Sequence, residues 1–240
     1  MLQTNPAPAL EIRDLDKTYP GFALHGVDLT VPAGSIVGLI GENGAGKSTT
    51  LGSVTGAIHP DAGAIRLYGR RQESWTPEDR ALLGVVLDSG GYPQTLTPAR
   101  LGRVLADLYP GWQPDRYADR LARLGLPADK AIKTFSKGMQ AKLSLAAAMC
   151  HGARLLVMDE PTSGLDPVVR DDILDLLLEF VQDERNAVLI SSHITGDLEK
   201  VADSIAFLHE GKLVFQKDAG ELHDRYGLLQ CGQDQFGALN

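Results

Sequence analysis

Residues 41–49 read GENGAGKST, between the apolar run SIVGLI and a stretch with helical character. Gly41, Gly46, Lys47 and Ser48 satisfy the spacing G-x-x-x-x-G-K-[ST], and Gly44 adds a third glycine in six residues. Glycines let a backbone curl until consecutive N–H groups point inward at anionic oxygens. The following helix adds its positive N-terminal end. The chemistry is a phosphate cradle formed by Gly41, Asn43, Gly44, Ala45, Gly46, Lys47, Ser48 and Thr49. In it Lys47 would reach the β- and γ-phosphates of a nucleoside triphosphate, and the Ser48 hydroxyl would ligate Mg²⁺.

A second cluster is LLVMDE (155–160), an apolar run ending in two carboxylates. Asp159 at the strand end can hold Mg²⁺ through water, opposite Ser48. Glu160, facing the other way, could orient and deprotonate an attacking water. Taken alone, two acids ending a buried strand also fit a solvated corner. A third cluster is IKTFSKGMQAKLSLAAAM (132–149), where Ser136 suits an N-cap and Gly138 permits close approach in the first helical turn. That is a second phosphate-binding helix start in a chain whose one triphosphate already has a cradle.

These groups need elements to position them. ALEIRDL (9–15) and ALHGVDLTV (23–31) read as strands around the turn YPGF, and SIVGLIG (35–41) as a buried strand. Lys47 to Val54 is the helix behind the glycine loop, and GAIRLYG (63–69) and LGVVL (83–87) are further strands. Residues 1–87 are thus β-rich. Residues 88–149 read as a helical insertion, with Pro98 and Pro114 suited to first helical turns. Alternation resumes over 150–217: LLVMDE, a helix from Pro167 capped by Asp166, AVLISS (187–192), and a hairpin turning at Glu210-Gly211. Ile173, Leu176, Leu177 and Phe180 make that helix's buried stripe. Residues 218–240 read as a weakly structured tail. The expectation is one α/β domain over 1–240.

GENGAGKST, FSKGM, LLVMDEPTSGLD and SSH, in this order, resemble the ATP-binding subunit of an ABC transporter over about residues 9–217. The resemblance implies a P-loop NTPase, RecA-like core with an N-terminal antiparallel β subdomain and a helical subdomain carrying the signature loop. It implies ATP and Mg²⁺ as ligands, and two copies or homologous subunits paired head to tail. Each ATP would lie between one subunit's phosphate loop and the other's Ser136 and Gly138, which accounts for the second phosphate site. By the same resemblance Glu160 is the catalytic base and His193 touches the γ-phosphate. Ser163 to Asp166 cross the dimer interface, and Tyr19 stacks on adenine; on residue type alone Tyr19 could equally be a packed turn tyrosine. The family's signature L-S-G-G-Q is here Phe135-Ser136-Lys137-Gly138-Met139, with Gln140 one place late. Its usual metal-binding glutamine falls on Asp88, in VVLDSGGYPQTLT, with Gln94 nearby. Aspartate can still ligand Mg²⁺ but lacks the amide donor. Both departures resemble exporter subunits of the bacitracin-resistance and multidrug type.

Composition bounds the alternatives. The 240 residues are 43% hydrophobic, enough for one substantial core. The net charge of −8, from 23 basic and 31 acidic residues, argues against a nucleic-acid partner. Cys150 and Cys231 have no metal-ligand spacing and suit a reducing compartment, with Cys150 read as a small buried hydrophobe. With no signal peptide and no apolar run of the roughly 18 residues that span a bilayer, the expectation is a cytoplasmic protein. It would be held at the membrane's inner face by a separate permease subunit. The rivals are a soluble ABC-type ATPase acting on ribosomes or DNA, and a P-loop kinase or GTPase. The first usually carries tandem cassettes or a long coiled-coil insertion, and the second gives no reason for FSKGM.

Overall fold

The computed structural model describes residues 7–87 and 91–225. Among them the chain forms two sheets. The first is antiparallel, in the order β2-β1-β4-β5, from β1 (Leu10–Tyr19), β2 (Phe22–Val31), β4 (Ala62–Leu67) and the short β5 (Arg70–Arg71). The second has the order β10-β9-β3-β8-β7-β6. Its strands β3 (Ile36–Ile40), β6 (Leu83–Val86), β7 (Leu155–Asp159), β8 (Ala187–Ser191) and β9 (Ser204–His209) run parallel, and β10 (Lys212–Asp218) returns antiparallel on β9.

The period-2 alternation of the parallel strands divides the core. Val37, Leu39, Leu155, Val157, Leu189 and Leu208 face the antiparallel sheet and α1 (Lys47–Thr55). Ile36, Leu156, Met158, Val188 and Ile190 face α6 (Pro167–Phe180), α7 (Thr195–Val201) and part of α5 (Lys137–Ala148). Burial on both faces is why these strands read as continuous apolar runs. Leu101, Leu105, Tyr117, Leu121 and Leu143 join α3 (Pro98–Leu108), α4 (Pro114–Arg123) and α5 into a third cluster, the core of the helical part. Cys150 is buried there as a free thiol, as its apolar setting suggested.

The structure differs from the sequence expectation in four places. The first hairpin is tighter than YPGF suggested, since β1 runs to Tyr19 and β2 starts at Phe22. A one-turn helix α2 (Pro77–Arg80) forms because Thr76 and Asp79 make a reciprocal capping box. Helix α7 follows His193. Part of the stretch read as a loose tail is helical, α8 (Ala219–Arg225), where Asp218 accepts from the Glu221 N–H and a Glu221–Arg225 pair spans one turn. Residues 226–240, with Cys231, lie outside the described residues.

Candidate functional site

The adjacent parallel strands β3, β8 and β7 end in register: Leu39 pairs with Ser191, and Ser191 with Asp159. The loops that leave them therefore meet at one edge of the sheet, the crevice where open α/β sheets bind ligands. From β3 comes the loop 41–46. A side chain at Gly46 would put its Cβ 2.5 Å from Leu24 and 2.8 Å from Phe22, and the residue has φ +110°, so only glycine fits. A Cβ at Gly41 would meet the Leu208 carbonyl at 2.3 Å. The loop is tied to the β9–β10 turn by Gly211 N–H donating to the Ala45 carbonyl. Lys47 is buried, and its Nζ donates to the carbonyls of Gly41 (2.8 Å) and Glu42 (3.3 Å). The curled backbone thus holds the ammonium inside the loop.

From β7 come the two carboxylates. The Ser191 hydroxyl donates to Asp159 Oδ1 at 2.6 Å and accepts from the Glu160 N–H at 2.9 Å. Glu160 has φ +48°, an uncommon conformation for this residue type, and it turns the side chain away from that of Asp159. Its carboxylate bridges two groups. Oε1 lies 3.6 Å from Lys47 Nζ, while Oε2 is 2.6 Å from His193 Nδ1 and accepts from the His193 N–H at 3.2 Å. The cleft above the loop, about 470 Å³, is lined by Gly21, Phe22, Asn43, Gly44, Ser48, Thr49 and Glu160, among others. A neighbouring cleft of about 440 Å³ brings Gly41, Glu42, Ser163 and His193 against the same Glu160.

The residues singled out in the sequence divide into two sets. Gly41 to Thr49, Asp159, Glu160 and His193 converge. Ser136 and Gly138 line neither cleft; they begin α5, where the Ser136 hydroxyl accepts from the Met139 N–H at 3.2 Å. A Cβ on Gly138 would meet Val169 of α6 at 2.9 Å, so one reason for glycine there is packing within the chain. Asp166 caps α6, accepting from the Val169 N–H at 3.1 Å, so both loops rest on the same first turn. Tyr19 is exposed at the end of β1, 5.5 Å under the Lys17 ammonium, and the neighbouring Gly21 and Phe22 line the cleft in its place. Asp88 lies outside the described residues.

Two residues were missed. Ser191 sits in the legible motif SSH, but only the strand pairing brings its hydroxyl to both the Asp159 carboxylate and the Glu160 N–H. Phe22 carried no signal beyond its place beside the turn.

The donor set fits a magnesium-bound triphosphate. The backbone cradle admits no Cβ at its close approaches, and Ser48 with Asp159 offers hard oxygen donors. No group of three or more His, Cys, Asp or Glu side chains able to hold a metal occurs among the described residues. A cation that keeps several waters and uses one or two protein oxygens plus phosphate is the Mg²⁺ pattern.

The family model described as ABC transporter matches residues 24–163, spanning the phosphate loop, the Ser136 loop and both carboxylates. The chain belongs to the ABC transporter family. It is 32% identical over 219 residues to the bacitracin transport ATP-binding protein BcrA of Enterococcus faecalis, covering 90% of this chain and 71% of that one. It is 33% identical over 233 residues to the daunorubicin/doxorubicin resistance ATP-binding protein DrrA of Streptomyces peucetius, covering 94% and 70%. A solved ATP-binding subunit of an ABC transporter superposes with a TM-score of 0.80 at 30% identity, over 96% of this chain and 98% of that one. This ABC ATPase has the P-loop NTPase fold its motifs implied. No helix among the described residues is long and apolar enough to cross a membrane.

Proposed function

We propose that this chain is the ATP-hydrolysing subunit of an exporter, working as a head-to-tail dimer on a separate membrane-spanning permease. The observation that carries the chemical part is the bridge Lys47–Glu160–His193, with the Glu160 carboxylate 3.6 Å from the ammonium and 2.6 Å from the imidazole. The loop N–H groups and Lys47 bind and orient the phosphates. Glu160 accepts the proton of the attacking water, and His193 fixes which way that carboxylate faces. Ser48 and, through water, Asp159 would hold Mg²⁺, which when bound would neutralise charge on the phosphate oxygens. Asp88, where the family has glutamine, is the further candidate for the metal.

The dimer rests on a different observation. Ser136 and Gly138 open a helix toward phosphate chemistry yet line neither cleft of their own chain. They would complete a partner's site, with Ser163 to Asp166 beside them. Export rather than import is supported by the bacitracin-transport and drug-resistance relatives and by S-K-G-M. The absence of a spanning helix among the described residues fits a peripheral subunit at the inner membrane face. The central test is Glu160→Gln. ATP affinity measured by calorimetry should stay within a factor of two or three, while hydrolysis falls by roughly 10²–10⁴-fold, the range for a positioned general base. Wild-type turnover in that variant would remove Glu160 from the role.

A further inference from the structure

At the opposite end of the parallel strands from the phosphate loop lies a cleft of about 230 Å³. One wall is α4 of the helical part. The other is the C-terminal end of α6, and the residues just before β7 form the floor. Four guanidiniums line it, Arg116, Arg120, Arg154 and Arg185, against two carboxylates, Glu179 and Asp183. A local excess of two positive charges stands out on a chain of net charge −8.

The pairing leaves two of the four guanidiniums, Arg116 and Arg154, without a carboxylate partner of their own among the described residues. Arg185 and Asp183 close on each other through two bonds of 2.9 and 2.7 Å, which holds the Asp183 carboxyl well below its usual range. Glu179 is shared by Arg120 at 3.3 Å and, from outside the cleft, by Arg123 at 3.2 Å. Arg116 donates to the neutral amide oxygen of Gln113 at 2.9 Å. The Arg154 guanidinium makes no close ion pair among the described residues, and its charge adds to that of Arg185 in lowering the Asp183 carboxyl. Arg120 is buried; its Nη1 is enclosed without a hydrogen-bond acceptor, and the guanidinium also lies beside the Cys150 thiol, whose pKa burial raises and this charge lowers. A buried cationic donor without an acceptor is costly, and planar guanidinium forks match phosphate oxygens.

We infer that this cleft binds the phosphate group of a small soluble anion, inorganic phosphate or a mononucleotide, through Arg116, Arg154 and the wall made by Arg120. The bound anion would join α4 to the core across their seam. The test is calorimetry on the full chain at fixed ionic strength, with inorganic phosphate and, separately, with AMP. Lys47→Ala serves as the background, so that the phosphate loop contributes little. The same background carrying Arg116→Gln and Arg154→Gln is the comparison; both side chains are exposed, so neither change threatens the fold. Saturable one-site binding of either probe, weakened about tenfold or more by the double change, supports the site. The tighter probe identifies the source of the phosphate. In the chain with native Lys47, the phosphate-dependent rise in melting temperature should also shrink on the double change. No saturable binding of either probe, or equal binding with and without the two arginines, overturns the inference. Since the paired chains differ only at the arginines, this outcome is independent of what Lys47 does.

Discussion

The Ser191 hydroxyl donates to Asp159 and accepts from the Glu160 N–H, so one side chain aligns the metal-side carboxylate with the proposed base. Ser191→Ala removes both bonds and leaves a backbone N–H without its acceptor at a residue already held at φ +48°. The expected result is a loss of about 1–3 kcal/mol in stability to urea, and a fall in kcat larger than any change in ATP affinity. Unchanged kcat would reduce Ser191 to a strand residue. Tyr19, exposed at the end of its strand, is the proposed adenine-stacking residue, next to Phe22, which lines the cleft and packs over Gly46. Base stacking on an aromatic ring is worth about 1–3 kcal/mol. Tyr19→Ala should therefore weaken ATP binding by that amount and leave tripolyphosphate binding as it was. If both ligands lose equally, the tyrosine acts on the loop and not on the base. Equal ATP affinity in variant and wild type would make it a turn residue.

Elements that bury both faces were legible in the sequence, and elements propped by their neighbours were not. SIVGLI, LLVMD and AVLIS announce parallel strands because the side chains on both faces are apolar up to the strand end, where Asp159 and Ser191 stand. The glycine loop and Asp166-Pro167 announce helix starts through local chemistry. Helix α7 has two apolar anchors, Leu198 and Val201, and a glycine in its first turn, so its pattern is too weak to read. Besides those anchors it is tied to α6 by a partly buried pair in which Arg170 Nη1 lies 3.5 Å from Asp197 Oδ1. Arg170 Nε and Asp197 Oδ2 are buried without partners, so neither charge is fully compensated. The pair spans the helices that follow the Ser163–Asp166 loop and His193. Arg170→Ala would strand the Asp197 carboxylate, and the expected loss is about 3 kcal/mol, the lower end for a broken buried pair because Arg170 is partly exposed. Arg170→Met with Asp197→Leu should recover most of it in the same urea titration. If the single variant is as stable as wild type, α7 is held by its apolar contacts alone.

Across the whole molecule, one surface presents the phosphate loop with its Glu160–His193 pair, while the Ser136 loop and Asp166 start their helices elsewhere, packed together through Gly138 and Val169. Strand order explains why the first set converges, since β3, β8 and β7 are neighbours. Among the described residues, no feature of one chain brings the second set to that edge. A two-fold pairing of copies would satisfy both surfaces at once, because an isologous contact makes two identical composite sites. Gly138 is a poor place to test this, since any side chain there strikes Val169 before it meets a partner. Ser136→Arg is the cleaner change, as it adds bulk and charge at a helix start outside both clefts. The variant should bind ATP like wild type as a monomer, yet fail to dimerise with ATP in the Glu160→Gln background, where trapped nucleotide otherwise holds the pair together. Mixing Lys47→Ala chains with Ser136→Arg chains should restore a dimer with one intact composite site, seen by sedimentation only when both are present. Normal ATP-dependent dimerisation and turnover by Ser136→Arg alone would mean that this loop does not act on a partner's nucleotide.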